Sequence, residues 1–166
     1  MLATPAIGQT PQRLIPDFGA FNPIADAFEE PDPLVRYRII FDVSQAARAE
    51  GSVHQGLDRV ARMVNLLNYY GVKLQPGDIV VTLHGAAAKT ALTPAAYAKR
   101  FKNEATPNAA LIQQLTEAGV SVRLCGQSMV ANGFEKEELN SDIKVDVSAI
   151  TTIGTLQMRG YALIQD

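Results

Sequence analysis

A chain of 166 residues, 47% hydrophobic and 19% charged, has the length of one domain and the apolar material for one sizeable core. Its net charge of −2 has the wrong sign to collect phosphates, and no Lys/Arg cluster is interleaved with aromatics, which argues against nucleic acid as a partner. Apolar runs such as 79–83 fall far short of the ~20 residues that cross a bilayer, so no membrane insertion is expected.

Six of the nine prolines lie in residues 1–33, where one arginine against five acidic residues gives −4 and leaves +2 for the remainder. Proline at this density excludes regular helix and interior strand, so 1–33 is expected to be an irregular lead and 34–166 a single α/β domain. The lead also holds Phe18, Phe21 and Phe28, and disordered segments are poor in aromatics. It is therefore expected to wrap over its own domain or a neighbouring subunit.

Residues 35–43 (VRYRIIFDV) are β-branched and aromatic and predict the first strand. From Gln55 to Tyr70 the apolar positions Leu57, Val60, Ala61, Val64 and Leu67 recur at helical spacing, and Gly71 suits the residue past the end. The run 78–84 (DIVVTLH) is almost continuously apolar, as in a central strand covered on both faces. Thr93-Pro94 and Thr106-Pro107 each place a capping hydroxyl before a proline at the first helical position. Leu111, Ile112, Leu115 and Ala118 stripe the second of these helices, which Gly119 ends. Strands are predicted at 120–125, 143–147 and 161–165, with a helix over 149–159 capped by Ser148. Asp142 and Lys144 mark the fourth strand as a sheet edge. Alternating strands and helices with crossover-length connections predict a parallel sheet with helices on both faces.

In such sheets ligands bind outside the carboxyl ends of the strands. The residues there are Asp42 and Ser44, then His84 and Gly85, then Cys125, Gly126, Gln127 and Ser128, then Ser148. Among them only Cys125 and His84 offer nucleophilic or near-neutral acid/base character. Gly126 permits a sharp turn after the strand, and QSMVAN can open a helix whose first amides point at the sulfur and favour the thiolate. Arg123 can add positive charge. The competing interpretation is that Cys125 packs as a small hydrophobe and His84 is a hydrogen-bonded structural residue. His54, before a helix, is read as a surface or cap residue. One cysteine allows no disulfide, and with two distant histidines it matches no zinc spacing. No phosphate loop, dinucleotide fingerprint or serine elbow occurs, so no metal and no cofactor are expected.

The HGAA segment at 84–87, PNAALIQQLTEAGVSVRLCGQS from 107 to 128 and LQMRGYALI from 156 to 164 together resemble the DsrE/DsrF-like proteins over roughly residues 35–166. The resemblance is to the branch with an extended N-terminal segment. It implies a three-layer α/β/α sandwich with a five-stranded, mostly parallel sheet, and assembly into homo-oligomers, trimers or hexamers. It further implies that Cys125 takes up sulfane sulfur as a persulfide and passes it to a partner thiol, with a sulfur donor or acceptor protein as partner. His84, Gly126, Gln127, Ser128 and Arg123 are the expected supporting residues. Members of that branch are commonly made with a signal peptide, so a periplasmic location after signal removal is expected, with the cytoplasm as alternative. Two other functions compete: a non-catalytic oligomeric small-ligand-binding protein with a structural cysteine, and a redox sensor acting through sulfenic acid at Cys125.

Overall fold

The computed structural model describes residues 12–102 and 108–166. The strands are β1 (Ile39–Val43), β2 (Ile79–Leu83), β3 (Ser121–Cys125), β4 (Lys144–Asp146) and β5 (Ala162–Gln165). They form one sheet in the order β4-β3-β2-β1-β5, with every pairing parallel. The helices are α1 (Gln55–Tyr69), α2 (Pro94–Phe101), α3 (Asn108–Glu117), α4 (Gly126–Ala131) and α5 (Ala149–Met158). From β1 to β3 the chain steps in one direction, so right-handed crossovers place α1 and α3 on one face. From β4 to β5 it steps back across the sheet, which places α5 on the other.

Alternation then gives the two faces different chemistry. Toward α1 and α3 the strands present Ile39, Phe41, Val43, Ile79, Val81, Leu83, Val122 and Leu124, buried with Leu57, Val60, Leu111, Ile112 and Leu115. Toward α5 only Ile40 and Val80 form a buried apolar cluster, closed by Leu156. The other residues of that face are Asp42, Thr82, Ser121, Arg123, Cys125, Lys144 and Asp146, with Leu163 and Gln165 from β5.

The first strand begins at Ile39 rather than at residue 35. Ile39 pairs with Ile79 and Ala162, the first residues of both neighbours, so nothing remains for residues 35–37 to pair with. Val35 donates instead to the Asp32 carbonyl in a turn, and Arg36 reaches back to Asp78 at 3.0 Å. The fourth strand is three residues long at the sheet edge, bonded to β3 alone. Thr93 caps α2 by accepting from the Ala96 N–H at 3.2 Å, with Pro94 at the first position. The matching Thr106-Pro107 pair lies outside the described residues. Ser148 precedes α5 but its hydroxyl makes no capping bond; its carbonyl accepts from Thr152 N–H instead.

Residues 12–21 of the lead lie against their own domain. Ile15 is wholly buried, and the buried Asn65 of α1 accepts from its N–H at 2.8 Å while its amide nitrogen faces the carbonyls of Ile15, Phe18 and Gly19. Gly19 passes so close that a Cβ there would stand 2.3 Å from the α1 backbone at Ala61. Beyond it the strap turns outward, and Phe28 and Leu34 are exposed.

Candidate functional site

Cys125 is both the last residue of β3 and the N-cap of α4. That position sets its sulfur among amides with no intrahelical partner. Burial, with the residue only 4% exposed, pushes the thiol up and is the largest single influence on it. The Ala149, Ser128 and Gln127 backbone N–H groups and the Ser128 hydroxyl stand around the sulfur and oppose that rise, and together they hold the thiol below its ordinary value, although the Cys125 side chain makes no capping hydrogen bond to α4. Two helices therefore converge on Sγ, α4 through Gln127 and Ser128, and α5 through its first residue. Donors aimed at a buried sulfur favour the thiolate, the form that attacks sulfur and carbonyl centres.

Gly126 serves this arrangement through close approach rather than through a turn. A Cβ there would stand 2.7 Å from the Asp146 carbonyl and 3.3 Å from that of Val147, so only glycine lets α4 start against the end of β4. Gln127 ties the same junction with its side chain, which donates to the Val147 carbonyl at 3.3 Å. Ser128 links the two strand ends: its Oγ accepts from the Gly85 N–H at 3.1 Å, and its hydroxyl helps to lower the thiol's pKa.

His84 follows β2, which pairs directly with β3, so it lies beside Cys125 at the carboxyl edge. Its ring does not turn to the sulfur. Nε2 is bonded to Asp42 Oδ1 at 2.5 Å, and Asp42 Oδ2 accepts from Gln165 Nε2 at 3.3 Å. His84 touches the thiol site only through the neighbouring Gly85 N–H and Ser128. Arg123 shares the face of Cys125, two residues before it, but its guanidinium is turned to other partners: it donates to Ser121 Oγ at 3.0 Å and pairs with Asp146 at 3.5 Å. Ala149, whose amide lowers the thiol's pKa, has no signal in the sequence; the start of its helix is legible there, but the strand order that brings that start to Cys125 is not.

His54 is the N-cap of α1, accepting at Nδ1 from the Gly56 N–H at 3.1 Å, but it is fully buried rather than at the surface. Nε2 lies 2.8 Å from the Gln45 carbonyl, which fixes the neutral tautomer with its proton on Nε2. Burial, the largest influence, lowers its pKa. A second polar cluster lies on the opposite face at the same pole. Lys89 pairs with Glu50 at 2.8 Å and Tyr97 donates to the same carboxylate, beside Asn108 and Ser52. Lys89 holds Glu50 below its usual value, and Tyr97 is pushed up to about 12 chiefly by burial. Among the described residues no group of three or more His, Cys, Asp or Glu is placed to hold a metal ion.

With the all-parallel sheet and its strand-end cysteine in view, the sequence matches the family model of the DsrE/DsrF-like family over residues 24–165. The chain belongs to the DsrE/DsrF-like family. Two solved structures share the fold. One is MTH1491 of Methanobacterium thermoautotrophicum, described as a protein of unknown function, with a TM-score of 0.58, 18% identity, and 78% of this chain and 99% of that one covered. The other is the YchN protein of E. coli, with a TM-score of 0.57, 16% identity, and 78% and 98% covered. No curated protein matches. No helix of this DsrE/DsrF-like chain, among the described residues, is long and apolar enough to cross a membrane.

Proposed function

We propose that this DsrE/DsrF-like protein carries sulfane sulfur as a persulfide on Cys125 and passes it to a partner thiol. The observation that carries the proposal is the place of a buried sulfur at the mouth of the sheet, at the junction of β3 and the start of α4, where the Gln127, Ser128 and Ala149 amides and the Ser128 hydroxyl lower its pKa. A purely packing cysteine needs none of them. In the loading step the thiolate attacks the outer sulfur of a donor such as thiosulfate. The donor's S–S bond breaks, its electron pair leaves with sulfite, and Cys125 holds the transferred sulfur as Cys–S–S⁻. A partner thiolate then attacks that outer sulfur and releases Cys125 as thiolate.

At 4% exposure Cys125 admits a slim donor or requires a docked partner. Val130 on α4, Val147 after β4 and Ile150 on α5 are exposed on the very elements that hold the sulfur, and supply an apolar lip for such a partner. The same proposal takes the protein as a periplasmic homo-oligomer, a trimer or hexamer. Exposed Phe28, Leu34 and Met158 are side chains that assembly would cover, and light scattering showing a monomer would remove that part.

The test is intact mass after incubation with thiosulfate or polysulfide. The wild type should gain mass in steps of one sulfur, reversed by a reducing thiol, and Cys125→Ser should gain none. No gain in the wild type, with assembly and ligand retention unchanged in Cys125→Ser, would instead support a non-catalytic binding protein.

A further inference from the structure

Thr82 is wholly buried in the middle of the polar face, and its Oγ1 has no hydrogen-bond partner. It is the one buried side-chain nitrogen or oxygen among the described residues in that state. A stranded hydroxyl of this kind loses its hydration with nothing in return, and an apolar residue of the same shape would avoid that. Its lateral neighbours are turned elsewhere. Asp42, its register partner on β1, is engaged by His84 and Gln165. Arg123, its partner on β3, is engaged by Ser121 and Asp146. The nucleophile of that face, Cys125, stands two residues beyond Arg123 on β3. A strand spacing of about 4.8 Å and two rises of about 3.3 Å put the two Cα atoms roughly 8 Å apart, with both side chains on one side of the sheet.

We infer that the Thr82 hydroxyl holds the outer sulfur of the loaded Cys125, so that the cargo is bound inside the sheet face rather than displayed to solvent. This rests on the carrier function proposed above. The added S–S bond extends the side chain by about 2 Å, enough to bring the outer sulfur toward Thr82 along the same face and to give the hydroxyl the acceptor it lacks. The outer sulfur of a persulfide is anionic, so the bond is charge-assisted. The loading chemistry is unchanged; Thr82 is a positioning residue for the product.

The experiment uses the full chain loaded with inorganic polysulfide, followed by intact mass during discharge to a low-molecular-weight thiol. Thr82→Val should load but discharge about tenfold faster or more, whereas Thr82→Ser should stay within about threefold of the wild type. The alkylation profile of the unloaded thiol should be the same in all three, because Thr82 makes no bond to Sγ itself. Equal discharge rates for Thr82→Val and the wild type overturn the inference while leaving the carrier intact, as does a shifted alkylation profile in Thr82→Val. A wild type that takes up no sulfur overturns both. Thr82→Ala provides the same comparison if the valine variant does not fold.

Discussion

The two faces of the sheet are made from alternate residues of the same strands, yet one is a dry aliphatic layer and the other a row of polar groups under a single helix. On the α1/α3 face Leu83 and Leu124 are wholly buried, while one residue beyond each of them stand His84 and Cys125. Stability and chemistry are thus separated by strand parity. The apolar face can be packed to near-crystalline density because nothing on it must react. The α5 face gives up part of its apolar contact to hold Asp42, Thr82, Arg123 and Cys125 in register.

The largest effects should fall on the dry face. Leu124→Ala is expected to lose about 2–5 kcal/mol in urea denaturation, whereas Arg123→Ala, its neighbour in sequence, should lose under about 1 kcal/mol because its ion pair is partly solvated. Comparable losses would break the contrast. Asn65→Leu removes the clamp on Ile15 and the strap and should lose about 1–3 kcal/mol, with proteolysis within residues 12–21 appearing before global unfolding. Gly126→Ala should lose about 1–3 kcal/mol by forcing α4 away from the Asp146 carbonyl, and should also raise the thiol pKa as Gln127 and Ser128 move.

The smallest effect sharpens the difference between the two histidines. His54, buried as a neutral cap, has a depressed folded pKa, so the unfolded chain binds its proton first. Its contribution to stability is present above the unfolded value of about 6.5 and is lost as pH falls from there toward the folded value. Protonation would also turn Nδ1 from acceptor to donor against the Gly56 N–H. Replacing His54 by Asn, which keeps a capping acceptor, should flatten that acid limb of the stability curve; an unchanged slope would assign it elsewhere.

Much of this was legible in local pattern. Periodicity and end signals locate five strands and the helices α1, α3 and α5, because amphipathic stripes and Gly71, Gly119 and Gly160 at positive φ are properties of short segments. The cysteine at a strand end before a helix start was visible for the same reason. What was not legible depends on contacts between segments distant in the chain. The first strand looked four residues too long because its end is set by β2 and β5. Arg123 looked like a source of charge for Cys125 until Asp146 on β4 claimed it. Ala149 can act on the thiol only because β4 lies beside β3, and Gly126 matters through a carbonyl twenty residues away. His54 signalled a cap in sequence but not its burial, which the 44–46 loop imposes through Gln45.

Cys125 on the polar face is expected to ionise more readily than an ordinary thiol in water. The rate of alkylation of Cys125 by iodoacetamide as a function of pH measures this directly. A midpoint below that of an ordinary thiol in the wild type, moving upward in Ser128→Ala, is the predicted result. A midpoint at or above the ordinary value, unmoved by Ser128→Ala, would contradict it.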